Sequence, residues 1–307
     1  MTDNVAPREK NNTSHIRGGL SPKRLLILLF RLRPKIIFSL LTMACIFFFA
    51  LTAQWVSPHD PIKVNVRYRL QPPMWKDPQG NLYLLGTDPL GRDIASRLIY
   101  GSRISLMVGL TSVLIGGLLG LALGLFSGYY GGRLDDIIMR VGDIQLAFPN
   151  ILLYVAVLAV LGGSVLNIII VLGFTGWIQY ARVIRGQVMS LREAEFVLAA
   201  RTLGASNLVI MTRHILWHTV SPLIVIASFA VANNILIESS LSFLGLGVPP
   251  AIPSWGMILA EGREYIRQAW WPVTFPGLAF VVTILSINLL GDALRDYLDP
   301  RLQRTPL

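Results

Sequence analysis

Residues 195–217 read EFVLAARTLGASNLVIMTRHILW, a polar-edged helical segment set between two long apolar stretches. The first half is rich in helix formers, and Phe196, Ala199, Ala200 and Leu203 share one face. Gly204 allows a break or a sharp turn, and Leu208, Met211 and Ile215 then open a second helical pattern. Glu195, Arg201 and Arg213 are costly in hydrocarbon, so a helix–Gly–helix unit between membrane spans has to lie at the water boundary. Its small residues keep the surface low, as docking into a groove on a soluble partner requires. An interfacial amphipathic linker without a partner would show the same pattern.

Composition sets the frame for that reading. With 307 residues, 14% charged residues and a mean hydropathy of +0.57, the chain reads as an integral membrane protein. The net charge of +10 follows from Lys and Arg held in loops on the inner side of a membrane, and no nucleic-acid partner is needed to explain it. Cys45 is the single cysteine and has no partner for an internal disulfide.

Working outward from 195–217, six apolar spans are expected, giving an all-α fold. Residues 1–35 form a basic tail, and the first span, 36–56, is a membrane anchor. Leu51-Thr52-Ala53 resembles a signal cleavage site, but the apolar stretch is longer than a signal h-region, which favours an uncleaved anchor. Residues 57–102 are a Pro-rich, irregular extracytoplasmic loop. The core, 103–295, holds spans at 104–126, 137–161 with a kink at Pro149, 165–181, 220–243 and 273–290, with 192–217 as the loop between the fourth and fifth. A tail follows at 296–307. Six crossings put both termini on one side. The basic tail assigns that side to the cytoplasm, and 195–217 with it. Outer loop 57–102 also carries Lys63, Arg67, Arg69, Lys76, Arg92 and Arg97, but loops of this length weigh less in that rule.

Ser112, Gly116, Gly120, Gly124 and Gly128 recur every four residues along the second span, a stripe that lets a neighbouring helix approach closely. Arg140 and Asp143 are spaced to pair at the inner end of the third span. Glu238 lies inside the fifth span after Asn233 and Asn234, where it either lines a pathway or pairs with a helix neighbour. His214 and His218 stand four apart, yet Ile215 occupies the place where a zinc-protease motif needs Glu, and no third ligand is near. Trp255, Tyr265, Trp270 and Trp271, with Glu261, Arg263, Glu264 and Arg267, suggest an amphipathic segment lying at the outer interface. Gly86, Thr87, Asp88 and Pro89 form a turn in which Asp88 caps backbone amides, with Arg92 and Asp93 placed to pair locally. That turn serves either as a folded cap on the bundle or as a contact for an extracytoplasmic protein.

Several of these strings carry a resemblance. Leu198-Ala199-Ala200, followed by Gly204, resembles the coupling loop of ABC importer permeases, with Leu198 where that family has glutamate and no proline near the end of the loop. Leu85-Gly86-Thr87-Asp88-Pro89-Leu90-Gly91-Arg92-Asp93 and Gly101-Ser102-Arg103 resemble the second permease subunit of dipeptide, oligopeptide and nickel ABC importers. So do Ser242-Phe243-Leu244-Gly245-Leu246-Gly247, Pro253-Ser254-Trp255-Gly256, Phe275-Pro276-Gly277, Asn288-Leu289-Leu290-Gly291-Asp292 and Leu298-Asp299-Pro300-Arg301. The resemblance runs over about residues 36–303. It implies a permease of the type I ABC importer kind that forms half of a solute pathway with a homologous permease subunit, two ATP-binding subunits and an extracytoplasmic solute-binding protein. Ala199, Ala200, Gly204 and Ala205 would then dock the ATPase, flanked by polar contacts from Glu195 and Arg201. Di- or oligopeptides are the implied cargo, with nickel complexes, opines, glutathione and antimicrobial peptides carried by relatives.

No Lys follows a Gly anywhere in the chain, so the phosphate-binding loop G-x-x-x-x-G-K-[ST] is absent. The chain is expected to need no cofactor of its own, Mg-ATP belonging to partner subunits. The rival is a secondary transporter driven by an ion gradient, which should show intramembrane relays and internal repeats. Glu238 is the clear mid-span ionisable residue, and no convincing repeat is visible.

Overall fold

The computed structural model describes residues 34–298. The basic tail expected over 1–35 therefore lies almost wholly outside the described residues, as does the end of the C-terminal tail from Asp299 onward.

Helix α1 (Pro34–Val56) is apolar between Lys35 and Gln54 apart from Ser39, Thr42 and Thr52, and leads into a loop with a 3-10 turn at Val66–Tyr68 and a hairpin of β1 (Trp75–Lys76) and β2 (Leu82–Tyr83). Helix α2 runs Ile94–Tyr130, α3 Gly132–Leu146, α4 Asn150–Leu161 and α5 Val165–Leu191. The short α6 (Glu195–Thr202) precedes α7 (Asn207–Phe243), whose stretch Ile210–Ile215 is wound as a π-helix. Helix α8 (Trp255–Gly262) and α9 (Trp271–Leu298) complete the described chain.

Five helices are long and apolar enough to cross a bilayer, namely α1, α2, α5, α7 and α9. The pair α3 and α4, bent by 85°, is together long and apolar enough for a sixth, broken span or a re-entrant loop. Pro149 stops the first helix, since it biases Phe148 away from helical backbone and offers no N–H of its own. The sequence suggested a kinked but continuous span over 137–161; the structure instead breaks it into two helices. Asp143 pairs with Arg182 of α5 at 2.5 Å rather than with Arg140, because the bend turns this face of α3 towards α5.

The centre of the bundle is the contact between α2 and α5, and the small-residue stripe makes it. A Cβ at Gly120 would sit 2.5 Å from the Trp177 carbonyl oxygen, and one at Gly124 would sit 2.6 Å from that of Ala181. Gly128 stands in the same relation to Arg185, at 2.8 Å. Association in lipid depends on close packing rather than hydrophobic drive, and these backbones could not meet over any larger side chain. Asp135, at the start of α3, takes a bidentate pair from Arg185 at 2.5 and 2.6 Å, which fixes this end of α5.

Helix α2 begins at Ile94, ten residues before the expected span. Asp93 caps it by accepting from the Ser96 backbone N–H at 2.9 Å, and its first turns stand above the apolar zone. The loop before it is more ordered than its proline content suggested. The Trp-rich segment after α7 also differs from expectation. Trp255 is 2% exposed and its indole N–H donates to the Leu98 carbonyl at 3.0 Å, so α8 is buried within the bundle. The exposed part is confined to residues such as Arg263, Glu264, Arg267 and Trp270.

Candidate functional site

At one end of the bundle, residues 192–217 fold as a compact helical elbow. Helix α6 ends in a paired set of hydrogen bonds, Ala205 N–H to the Ala200 carbonyl at 3.1 Å and Gly204 N–H to that of Arg201 at 3.0 Å. This is the left-handed helix stop, and Gly204 has the φ of +82° that it demands. Ser206 then caps the next helix through the Val209 N–H. Val197, Ala200, Ile210, Met211 and Ile215 pack inward against Leu125, Tyr129, Ile184 and Val188 of α2 and α5. The π-turn brings Ile210 and Ile215, five apart, onto one buried face. Tyr129 ties the elbow to α2 by donating to Asn207 Oδ1 at 2.8 Å.

The expected apolar face of Phe196, Ala199, Ala200 and Leu203 is split by the structure. Ala200 turns inward with Val197, and Ala205 is half-buried. Glu195, Phe196, Ala199, Arg201, Leu203 and Gly204 point outward, with Leu203 88% exposed. Leu198, Leu208, Val209 and Trp217 are also exposed, so this end presents a large apolar surface next to charged Glu195 and Arg201. His214 and His218 lie beside it, His218 against the Phe196 ring at 5.4 Å. Among the described residues no group of three or more His, Cys, Asp or Glu is placed to hold a metal.

At the opposite end, the Gly86–Asp93 turn is the centre of a buried charge cluster. Asp88 Oδ1 accepts from the Leu90 and Arg92 N–H groups at 2.8 and 2.9 Å. Its other oxygen accepts from Arg92 Nε at 2.6 Å and from Arg97 Nη1. Both arginines then reach Glu261 of α8 at 2.6 Å. Arg92 thus pairs with Asp88 and Glu261 rather than with Asp93, which is engaged as the cap of α2. Thr87 accepts from the Gln71 N–H at 2.8 Å, and its carbonyl accepts from the Trp271 indole at 3.1 Å. Gly86 and Gly91 both have positive φ; a Cβ at Gly91 would lie 1.8 Å from the Asn65 carbonyl oxygen. Burial disfavours charge on Arg92, but Glu261 and Asp88 outweigh it and hold the guanidinium above its ordinary range. While Glu261 and Asp88 are ionised, the stability Arg92 contributes is present below its unfolded value and is lost as pH rises into strongly alkaline conditions. Arg97 and Glu261, 164 positions apart, were not among the residues singled out as a site, because nothing local in the sequence pairs them.

Between the two ends, Glu238 is 0% exposed. Ser242 donates to it at 2.9 Å, Ser105 of α2 at 3.2 Å and Ser239 at 3.3 Å. The carboxylate is thus held by hydroxyls of α2 and α7. Asn234 is engaged separately, donating to Ser112 Oγ at 2.8 Å. Glu238→Gln keeps the shape and an acceptor oxygen, so transport is expected to stay within about twofold of the parent, whereas Glu238→Leu orphans the hydroxyls at a cost of about 1–3 kcal/mol. Uptake and thermal unfolding of both variants check this; loss of uptake in Glu238→Gln with unfolding unchanged would contradict it.

A broken-span helical bundle with no nucleotide loop, a helical elbow at one end and a charge-locked cap at the other defines a membrane permease subunit. The family described as "Binding-protein-dependent transport system inner membrane component" matches residues 120–304. The chain is 45% identical over 264 residues to the di/tripeptide transport system permease protein DppC of Pseudomonas aeruginosa, covering 86% of this chain and 87% of that protein. It is 41% identical over 254 residues to the glutathione transport system permease protein GsiD of Pectobacterium atrosepticum, covering 83% of each. Among solved structures, the inward-facing MetNI methionine ABC transporter shares the fold, with a TM-score of 0.54 at 18% identity over 66% of this chain and 96% of that one. The chain belongs to the family of binding-protein-dependent transport system inner membrane components, and it is the membrane-spanning permease subunit of an ABC importer. It is not an enzyme; ATP hydrolysis takes place on separate subunits, and a substrate-binding component completes the system.

Proposed function

We propose that this permease imports di- or tripeptides, pairing with one homologous permease subunit and seating two ATPase subunits on the elbow at 192–217. The observation that carries the cargo is the 45% identity to a di/tripeptide permease along most of both chains. Placement of the elbow in the cytoplasm, with both termini, is supported by the basic tail and by the exposed apolar surface around Leu203, which needs a protein partner. Closure of the ATPases would push on α6, and the attached α5 and α7 would carry the movement into the bundle. The cap built on Asp88, Arg92, Arg97 and Glu261 gives the solute-binding protein a rigid surface on the outside.

Uptake of labelled dialanine by cells carrying this chain and its partner subunits tests the reading. Uptake that collapses on ATP depletion and survives an uncoupler supports it. Uptake with the reverse sensitivities would identify an ion-gradient carrier instead.

A further inference from the structure

Midway along the bundle, uncharged polar side chains from different helices surround one cavity. Asn150 comes from the start of α4, Thr175 and Gln179 from α5, and Asn233 from α7. Ser112, Tyr154, Tyr180 and Asn234 complete the polar wall of a space of about 40 Å³, room for a water or two, or for one carboxylate group.

Three features set this niche apart from ordinary packing. Tyr180 is 3% exposed, yet its hydroxyl has no hydrogen-bond partner among the described residues. A buried hydroxyl left unpaired is costly and calls for an acceptor from outside the chain. Asn150, Gln179 and Asn233 are exposed on the surface of the chain at membrane depth. Amides turned towards lipid there would be equally costly, so this face has to meet water, a solute or the homologous permease subunit, and thiol labelling separates these. Lastly, α4 starts at the cavity wall behind Pro149 with no side-chain cap, and its first N–H groups form the positive end of a twelve-residue helix.

We propose that this niche faces the pathway and holds a carboxylate of the passing solute by neutral donors. These are the Tyr180 hydroxyl, the Asn and Gln amides and the N–H groups of Asn150 and Ile151 that open α4, those of Leu152 and Leu153 being taken by the Pro149 carbonyl. The inference rests on the reading of the cargo as peptide and adds which group of the peptide is held. No charged side chain lines the cavity. A carboxylate is therefore bound weakly enough to leave again.

Two measurements on the assembled transporter test it. In a Cys45→Ala background, Gln179→Cys and Asn233→Cys are expected to react with a charged, membrane-impermeant methanethiosulfonate. Leu118→Cys, on an exposed apolar face of α2, is expected not to react, because a thiol in hydrocarbon does not ionise. Silence at both polar positions would overturn the pathway placement for any solute. Tyr180→Phe keeps the ring and its packing, so assembly and the binding protein's affinity should hold while dialanine uptake falls about 3- to 10-fold. Equal uptake by parent and variant would overturn the contact. Absence of dialanine uptake in the parent itself would fail the peptide reading and this ligand together, leaving the labelling to decide the placement alone.

Discussion

Replacing Arg97 by methionine is expected to loosen the loop cap on the bundle, at a cost of about 3–5 kcal/mol. Arg97 is 1% exposed and is shared between Asp88 in the loop and Glu261 in α8. With Arg92 it balances two carboxylates against two guanidinium groups. Methionine fills much of the same space but leaves both carboxylates to Arg92 alone, in a setting where an unmatched buried charge cannot be hydrated. Two elements far apart in sequence are then joined by the Arg92 bridge alone. Protease resistance of residues 57–93 and thermal unfolding of the purified complex read the effect; cleavage and unfolding equal to the parent's would contradict it. Arg97→Lys should fall between, since an ammonium keeps the charge and loses the planar fork.

The second large effect is expected from a single methyl group at Gly120. Its Cβ would lie 2.5 Å from both the Trp177 carbonyl oxygen and Tyr180 Cβ, positions held by the backbone of α5. Relief requires α2 and α5 to move apart along their whole contact, so Gly120→Ala is expected to cost about 1–3 kcal/mol or more, the range for an overpacked core. Gly117, three residues earlier, has nothing within 4 Å of its Cβ position. There alanine should be neutral or stabilising by up to about 1 kcal/mol through helix propensity. Folded yield and unfolding temperature of the two variants side by side decide the matter. Similar behaviour of both would mean that the stripe does not set the approach of the helices.

Much of this architecture was legible because its signals are local. Ser112 to Gly128 announces a close helix contact by spacing alone, and Ala200 and Gly204 meet the demands of a left-handed helix stop within a few residues. What escaped depends on contacts far apart in sequence. The Arg97–Glu261 pair joins the first turn of α2 to the last turn of α8, and residues 255–271 looked interfacial because their tryptophans sit among charges whose partners lie elsewhere. Pro149 signalled a disturbance, but a proline kinks some helices and ends others, and the 85° bend shows that it ends this one. On α6 the inward and outward faces were mixed, since Val197 and Phe196 are equally apolar and only the packing of Ile184 and Val188 decides which turns in.

Loss of the ATPase from a Leu203→Asp complex is the most direct measure of how force enters this bundle. Leu203 is 88% exposed and touches little of its own chain, so the variant should insert and fold as the parent does. If the 192–217 elbow is where the ATPase seats, a carboxylate in the middle of that apolar surface should strip the ATPase from the purified complex and abolish uptake. Full co-purification of the ATPase with undiminished uptake would contradict the account.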